Sequence, residues 1–207
     1  MLPPPDSAVP MSDPSTFVHP TAVIDDGVHL GRGVKVWHFC HVSTGATIGD
    51  RCKLGQNVYP AEGVTLGTNV KVQNNVSLYA GVTCGDDVFL GPSVVFTNVR
   101  NPRSAIDRRG AYAKTRVHDG ATIGANATIV CGNDIGTYGF VGAGAVVTRD
   151  VPSFGLVVGN PARLIGYVGR AGEPLTFDAA GRAVCPVDGT VYERSEGVVR
   201  FAGPADP

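Results

Sequence analysis

The chain has 207 residues and a formal net charge of -1, with only 17% charged residues but 28 glycines and 15 prolines. That balance excludes an electrostatic binder of nucleic acid or anionic membrane, and the turn-forming composition points away from a helical enzyme. The five cysteines form no CxxC pair and no framework spacing, so they are expected to be reduced core residues. No run of eighteen apolar residues occurs and the opening residues do not resemble a leader, so a cytoplasmic protein without membrane insertion is expected.

In chain order, residues 1–16, "MLPPPDSAVPMSDPST", are rich in Pro and Ser and are expected to be disordered. From Val18 an aliphatic recurs every sixth residue through Ile24, Leu30, Val36 and onward to Leu90 and Phe96. The step resumes at Val117 and runs to Val147; seventeen of these twenty positions are Val, Ile or Leu. Four residues further on, seventeen of twenty are Ala, Val or Cys. A helix with 3.6 residues per turn would smear a period of six around its surface, whereas short strands joined by tight turns can use it. Each hexad then supplies one side of a triangular coil of eighteen residues, and a Gly or Asn near the corner tolerates positive φ. Twenty hexads predict an all-β parallel β-helix of about seven coils, stacked about 4.8 Å apart, over residues 17–168.

Between the two runs, residues 102–116, "PRSAIDRRGAYAKTR", fit no hexad and are expected to leave the prism as one external loop. After Pro161, "ARLIGYV" is expected to start a short helical or extended cap. Residues 169–207 alternate strand-like runs with Ala-Gly, Asp-Gly and Glu-Gly turns, a hairpin-like extension expected to hold two small hairpins. Cys185 in "CPVDGTVY" lacks the second cysteine of a zinc knuckle.

Residues eighteen apart stack vertically. One column reads His38, Gln56, Asn74; its neighbour reads Phe39, Asn57, Asn75; others pass through Tyr79 and Asn98. Asn at such corners also stabilises turns, so Asn57 and Asn75 have a structural reading beside a functional one. His38, Gln56, Asn74 and Tyr79 form a neutral hydrogen-bonding surface suited to a sugar, and Arg100 and Arg103 suit a phosphate or carboxylate.

At "VWHFCHV", "VQNNVSLY", "GPSVVFTNVRNPRS", "VGAGAVVTRDVP" and "VVGNPARLIGYV" the sequence resembles the hexapeptide-repeat N-acetyltransferases of nucleotide-linked 3-amino sugars. The resemblance covers about residues 18–168 and is nearest to enzymes acting on UDP-2-acetamido-3-amino-2,3-dideoxyglucuronate, with dTDP-3-amino-3,6-dideoxyhexose enzymes as the alternative. It implies a left-handed winding, a homotrimer, acetyl-CoA as cosubstrate without a metal, and products for O-antigen and other surface polysaccharide. It also implies catalysis by Asn98, with His38, Gln56, Asn74, Asn75, Tyr79, Arg100 and Arg103 on the substrate. Gly124, Asn126, Gly142, Ala143, Arg149, Pro161 and Arg163 would meet the cofactor. Related sugar O-acetyltransferases usually carry His-Pro where this chain has Asn101-Pro102. An alcohol needs that base and a neutral amine does not, which favours an amine acceptor, although His38 or His41 remains a candidate base. A zinc β-helix needs three converging histidines, and none of the five here has another eighteen residues away. A serine or sugar O-acetyltransferase and a purely structural solenoid are the remaining alternatives.

Overall fold

The computed structural model describes residues 13–204. Short strands follow one another and wind into a three-sided parallel β-helix; among the described residues no helix is long and apolar enough to cross a membrane. The first face stacks Phe17–Val18, Lys35–Val36, Lys53–Leu54, Lys71–Val72, Phe89–Leu90, Thr122–Ile123, Phe140–Val141 and Gly155–Val158 in parallel register. The second runs from Val23–Ile24 through His41–Val42, Tyr59–Pro60, Ser77–Leu78, Val95–Phe96 and Thr128–Ile129 to Val146–Val147. The third stacks His29–Leu30, Thr47–Ile48, Thr65–Leu66, Val82–Cys84 and Thr115–Val117, then continues through single bridges at Ile135 and Val151. The first face thus has eight layers rather than the nearly seven coils expected. A six-residue step misses the last layer because the third-face position after Ile135 is Val151, sixteen residues on instead of eighteen.

In each strand pair the second residue points inward. Val36, Leu54, Leu90, Ile123 and Val141 are fully buried, and so are Val34, Cys52, Val58, Val70 and Ala127 from the corners. The glycine that follows the aliphatic has a different cause from the one expected. Gly91 and Gly124 lie outside the positive-φ region; they are glycine because a Cβ would stand 2.6 Å from Ala125 N and 2.5 Å from Ala143 N, backbone of the next coil. Positive φ falls two residues later, where Asn57, Asn75 and Asn126 adopt φ of 57°, 62° and 57°.

The loop leaves after Phe96 and returns at Thr115, so Thr115 and Arg116 belong to the prism and not to the loop. Its base is pinned three ways: Cys131 N–H donates to Thr97 Oγ1 (3.0 Å), Ala113 N–H to Asn98 O (2.9 Å), and Thr115 N–H to Gly81 O (3.0 Å). Of the N-terminal segment expected to be disordered, residues 1–12 lie outside the described residues. Asp13–Thr16 form a turn, with Ser15 N–H on Asp13 Oδ1 (2.8 Å). Residues 163–167, within "ARLIGYV", are a strand, Arg163–Tyr167, antiparallel to the last layer. Beyond it Arg182–Val184, Thr190–Ser195 and Val198–Pro204 form one three-stranded meander, two hairpins sharing a strand, with turns at Asp188-Gly189 and Glu196-Gly197. Its Tyr192 and Cys185 join Phe154 and Tyr167 in a second small core, so the sheet closes the C-terminal end of the prism.

All five cysteines are buried and free. Burial pushes the Cys84 thiol up to about 12 and raises those of Cys40 and Cys52 as well, which removes nucleophilic thiolate at neutral pH. The native protein is therefore expected to leave Ellman's reagent unreacted at pH 8, with all five thiols appearing after denaturation; one fast native thiol would contradict the packing. A second expectation concerns Thr115 Oγ1, which is buried without a hydrogen-bond partner among the described residues. It occupies a column that holds Val64 and Val82 in the two coils before it. Thr115→Val should raise stability by about 1 kcal/mol in equilibrium urea unfolding, because an unpaired buried hydroxyl costs folding energy; a lowered midpoint would show that the hydroxyl has an unseen partner.

Candidate active site

The columns of the prism sort the candidate residues onto two of its three edges. The first edge joins the first and second faces and carries, in successive coils, His38, Gln56, Asn74, Pro92, Ala125 and Ala143, with Phe39, Asn57, Asn75, Ser93, Asn126 and Gly144 beside them. Of the expected substrate residues, His38, Gln56, Asn74 and Asn75 occupy its lower half, and the expected cofactor residues Gly124, Asn126, Gly142 and Ala143 its upper half. Small side chains leave that upper half without projecting groups. The Gly159–Ala162 segment, with Pro161 in a cis peptide, folds over its top: Val146 N–H donates to Gly159 O (3.0 Å) and Ala162 N–H to Val146 O (2.8 Å). Arg163 follows, exposed, its Nη1 donating to Ala162 O (3.1 Å).

Tyr79, Asn98, Arg100, Arg103 and Arg149 stand instead on the second edge, between the second and third faces. Tyr79 is exposed, its ring 6.4 Å from that of Tyr59 in an edge-to-face contact. Asn98 is half-buried where the loop departs, and its carbonyl holds the loop base. The Arg100 guanidinium folds back onto Gly132, where a Cβ would lie 3.1 Å from Nη2. Arg103 is exposed, its carbonyl closing a turn to Ile106 N–H (3.0 Å). Within one copy the two expected halves of the substrate site are therefore separated by the whole second face.

Part of the amide set is structural. Asn74 Oδ1 accepts from Gln56 N–H (2.9 Å), and Asn57 Nδ2 donates to Asn75 Oδ1 (3.2 Å) across the same eighteen-residue spacing. Asp50, Asp86 and Asp119 do the same work on the third edge. Asn75 and Asn126 are further constrained by their positive φ. His38 is stacked on His19 with ring centroids 3.5 Å apart; burial first, and the neighbouring imidazole second, hold His19 below the ordinary imidazole range.

Three features escaped the sequence reading. His41 Nε2 pairs with Asp25 (3.0 Å to Oδ1), a carboxylate-oriented imidazole on the second face. It lies three layers below Asn98, about 14 Å along the axis, too far to share its proton within one copy. Lys35, Lys53 and Lys71 stack directly on one another on the first face, and their eighteen-residue spacing was visible in the sequence. A cavity of about 320 Å³ lined by Trp37, His38, Lys53, Gln56, Gln73 and Asn74 lies beside that stack.

Against known proteins, the description "hexapeptide repeat of succinyl-transferase" matches residues 45–80 and 114–149, and "bacterial transferase hexapeptide (six repeats)" matches residues 27–59. The gap between the two parts of the first match holds the strands Val82–Cys84, Phe89–Leu90 and Val95–Phe96 and then the loop. The dTDP-3-amino-3,6-dideoxy-alpha-D-galactopyranose 3-N-acetyltransferase of Aneurinibacillus thermoaerophilus is 44% identical over 188 residues, covering 91% of this chain and 96% of that enzyme. An acyl-[acyl-carrier-protein]–UDP-N-acetylglucosamine O-acyltransferase of Brucella ovis is 56% identical, but over 43 residues and 16% of its own length, a likeness of repeats only. A hexapeptide-repeat acetyltransferase of Vibrio cholerae O1 biovar eltor, solved with acetyl-coenzyme A, is 28% identical with a TM-score of 0.52, covering 59% of this chain and 70% of that one. The near-complete match to the Aneurinibacillus enzyme, carried on repeat motifs and a left-handed β-helix, shows that the chain belongs to the hexapeptide-repeat nucleotide-sugar N-acetyltransferases, which take their acetyl group from acetyl-CoA.

Proposed function

We propose that this enzyme acetylates the 3-amino group of a dTDP-3-amino-3,6-dideoxyhexose, in the cytoplasm, within a homotrimer whose active sites lie between copies. The observation that carries the acceptor is the relative matched over 96% of its length, whose substrate is such a sugar. The trimer is supported by the split site. Apart from His41, the outward residues of the second face (Val23, Tyr59, Ser77, Val95, Thr128, Val146) are uncharged, whereas the first face presents lysines and the third Arg116, Asp134 and Asp150. Val23 and Val95 are about half exposed in a single copy. Turning that face to a threefold axis covers it and brings the first edge of each copy against the second edge of the next. His38, Gln56 and Asn74 then face a neighbour's Tyr79, Asn98 and Arg100, while Asn126 and Ala143 line the groove for the pantetheine arm and Arg149 and Arg163 meet CoA phosphates.

In this arrangement the neutral sugar amine attacks the acetyl carbonyl carbon and a C–N bond forms. Asn98 Oδ1 accepts one amine hydrogen and so aims the nitrogen lone pair, and a backbone N–H of the groove holds the oxyanion. Collapse breaks the C–S bond, CoA leaves as thiolate, and the ammonium proton passes to it. None of the histidines shares Asn98's edge at its level, which fits an acceptor that needs no strong base.

A second reading, the UDP-linked 3-amino uronate, rests on Arg100 and Arg103 at the loop, which would pair with a C6 carboxylate. A thiol-release assay with acetyl-CoA and each acceptor separates the two. We expect turnover of the dTDP sugar, with Asn98→Ala lowering kcat about 100-fold and leaving the KM for acetyl-CoA unchanged. Turnover of the uronate alone would move the substrate, and turnover of neither would remove the reading. Use of the product in surface polysaccharide extends this same proposal.

A further inference from the structure

The first face carries an arrangement that stability alone does not explain. Lys35, Lys53 and Lys71 are parallel strand partners, one above the other at the strand spacing of about 4.8 Å. Like charges directly opposite destabilise a sheet. Among the described residues none of the three forms a salt bridge, although the neighbouring third edge is rich in aspartates. Lys71 is turned toward the Asn69 side chain, and burial, with Lys53 as the next cause, pulls its ammonium below the ordinary range. Lys53 itself is exposed and lines the 320 Å³ cavity with Trp37, His38 and three amide side chains.

Trp37 is 41% exposed and is the wall between this cavity and a second one, of about 370 Å³, reaching to Lys35 and Phe17. Its ring packs on Phe17 at 5.4 Å, which fixes its plane. Beside it Phe39 is 59% exposed, at the corner position that takes positive φ in successive coils. A rigid, half-exposed aromatic plane beside unpaired stacked cations and neutral amides has the parts that a nucleotide requires: a stacking surface, a positive locus, and donors and acceptors for a base edge.

We propose that the nucleoside diphosphate of the acceptor binds on the first face, with its base on Trp37, its diphosphate on Lys53 and the adjoining lysines, and Gln56, Gln73 and Asn74 on its polar edges. This rests on the nucleotide-sugar reading above and adds to it a nucleotide subsite on the first face. The position is consistent with that reading. Lys53 lies two layers below Asn98, about 10 Å along the axis, so a hexose attached to the diphosphate extends over the first edge toward the neighbour's Asn98.

Trp37 is the only tryptophan in the chain, so its emission reports this cavity directly. Titration of dTDP alone into the full-length protein is expected to quench it saturably. Lys53→Met should raise the apparent Kd at least about tenfold. Ligand-free Lys53→Met should melt no lower than wild type, because removing the middle charge relieves the stack, and should lose the upward melting shift that dTDP gives wild type. Retained melting temperature with lost dTDP binding supports the subsite and separates it from a folding defect. Absent quenching, or quenching equal in both proteins, overturns it even if acetyl transfer to the dTDP sugar proceeds. Lysine-dependent quenching by CoA but not by dTDP also overturns it, by assigning the cavity to the cosubstrate. Lysine-dependent dTDP binding without acetyl transfer leaves the subsite standing and removes the proposed reaction instead.

Discussion

The rest of the molecule depends on backbone-to-backbone stacking of eighteen-residue coils. Each layer must place its N–H and C=O groups against the next at strand spacing, leaving an interior only wide enough for one aliphatic per side and one small residue per corner. Leu54, Leu90 and Ile123 fill the sides, and Val58, Cys52 and Ala127 fill the corners, all fully buried. The same closeness dictates Gly91 and Gly124, where a Cβ would strike the coil above. Because register is fixed, residues eighteen apart are held in vertical columns, and a column is the unit in which this fold can present a surface. Function on such a scaffold is written along edges and faces rather than inside a cavity enclosed by one chain.

That organisation explains why the chain breaks its rhythm at Asn98. A regular prism offers flat faces and repeating corners, and neither encloses a substrate. Residues 97–114 leave the second edge, with Thr97 and Asn98 pinning the exit, and in the proposed site they would add a wall, while the coils below and above remain in register through Val82–Cys84 and Thr115–Val117. The C-terminal meander solves a different problem. The last coil would leave Phe154 and Tyr138 exposed at an open end, and Tyr192, Leu175 and the Arg170 guanidinium, 3.7 Å from the Phe201 ring centroid, cover it.

The prism was legible because its cause is local: one aliphatic in six, read without knowing which coil touches which. The turns at Asp188-Gly189 and Glu196-Gly197 were legible for the same reason. The site was only partly so. The column His38, Gln56, Asn74 follows from spacing, but whether an amide serves a ligand or its own backbone depends on a hydrogen bond such as Asn74 to Gln56 N–H. Asn98 and Tyr79 could be named as polar corner residues, yet their separation from His38 by a full face depends on how corners are shared around the coil. The lysine stack is present in the spacing of Lys35, Lys53 and Lys71, but at outward strand positions and not at the polar corners that mark the columns of His38 and Asn74. His41 and Asp25, sixteen apart rather than eighteen, share no column, so their pairing does not follow from spacing.

The central claim is that two edges of neighbouring copies make one active site, and subunit complementation tests it most directly. A first-edge variant, His38→Ala with Gln56→Ala, and a second-edge variant, Asn98→Ala, are each prepared with little activity, then co-refolded in equal amounts and assayed for acetyl transfer. If each site takes one edge from each of two copies, random assortment restores about a quarter of the sites with both edges intact, and activity returns to about that fraction of wild type. If both edges of a single copy serve the same site, every site in the mixture carries a defect. Activity that stays at the level of the separate variants would contradict the account.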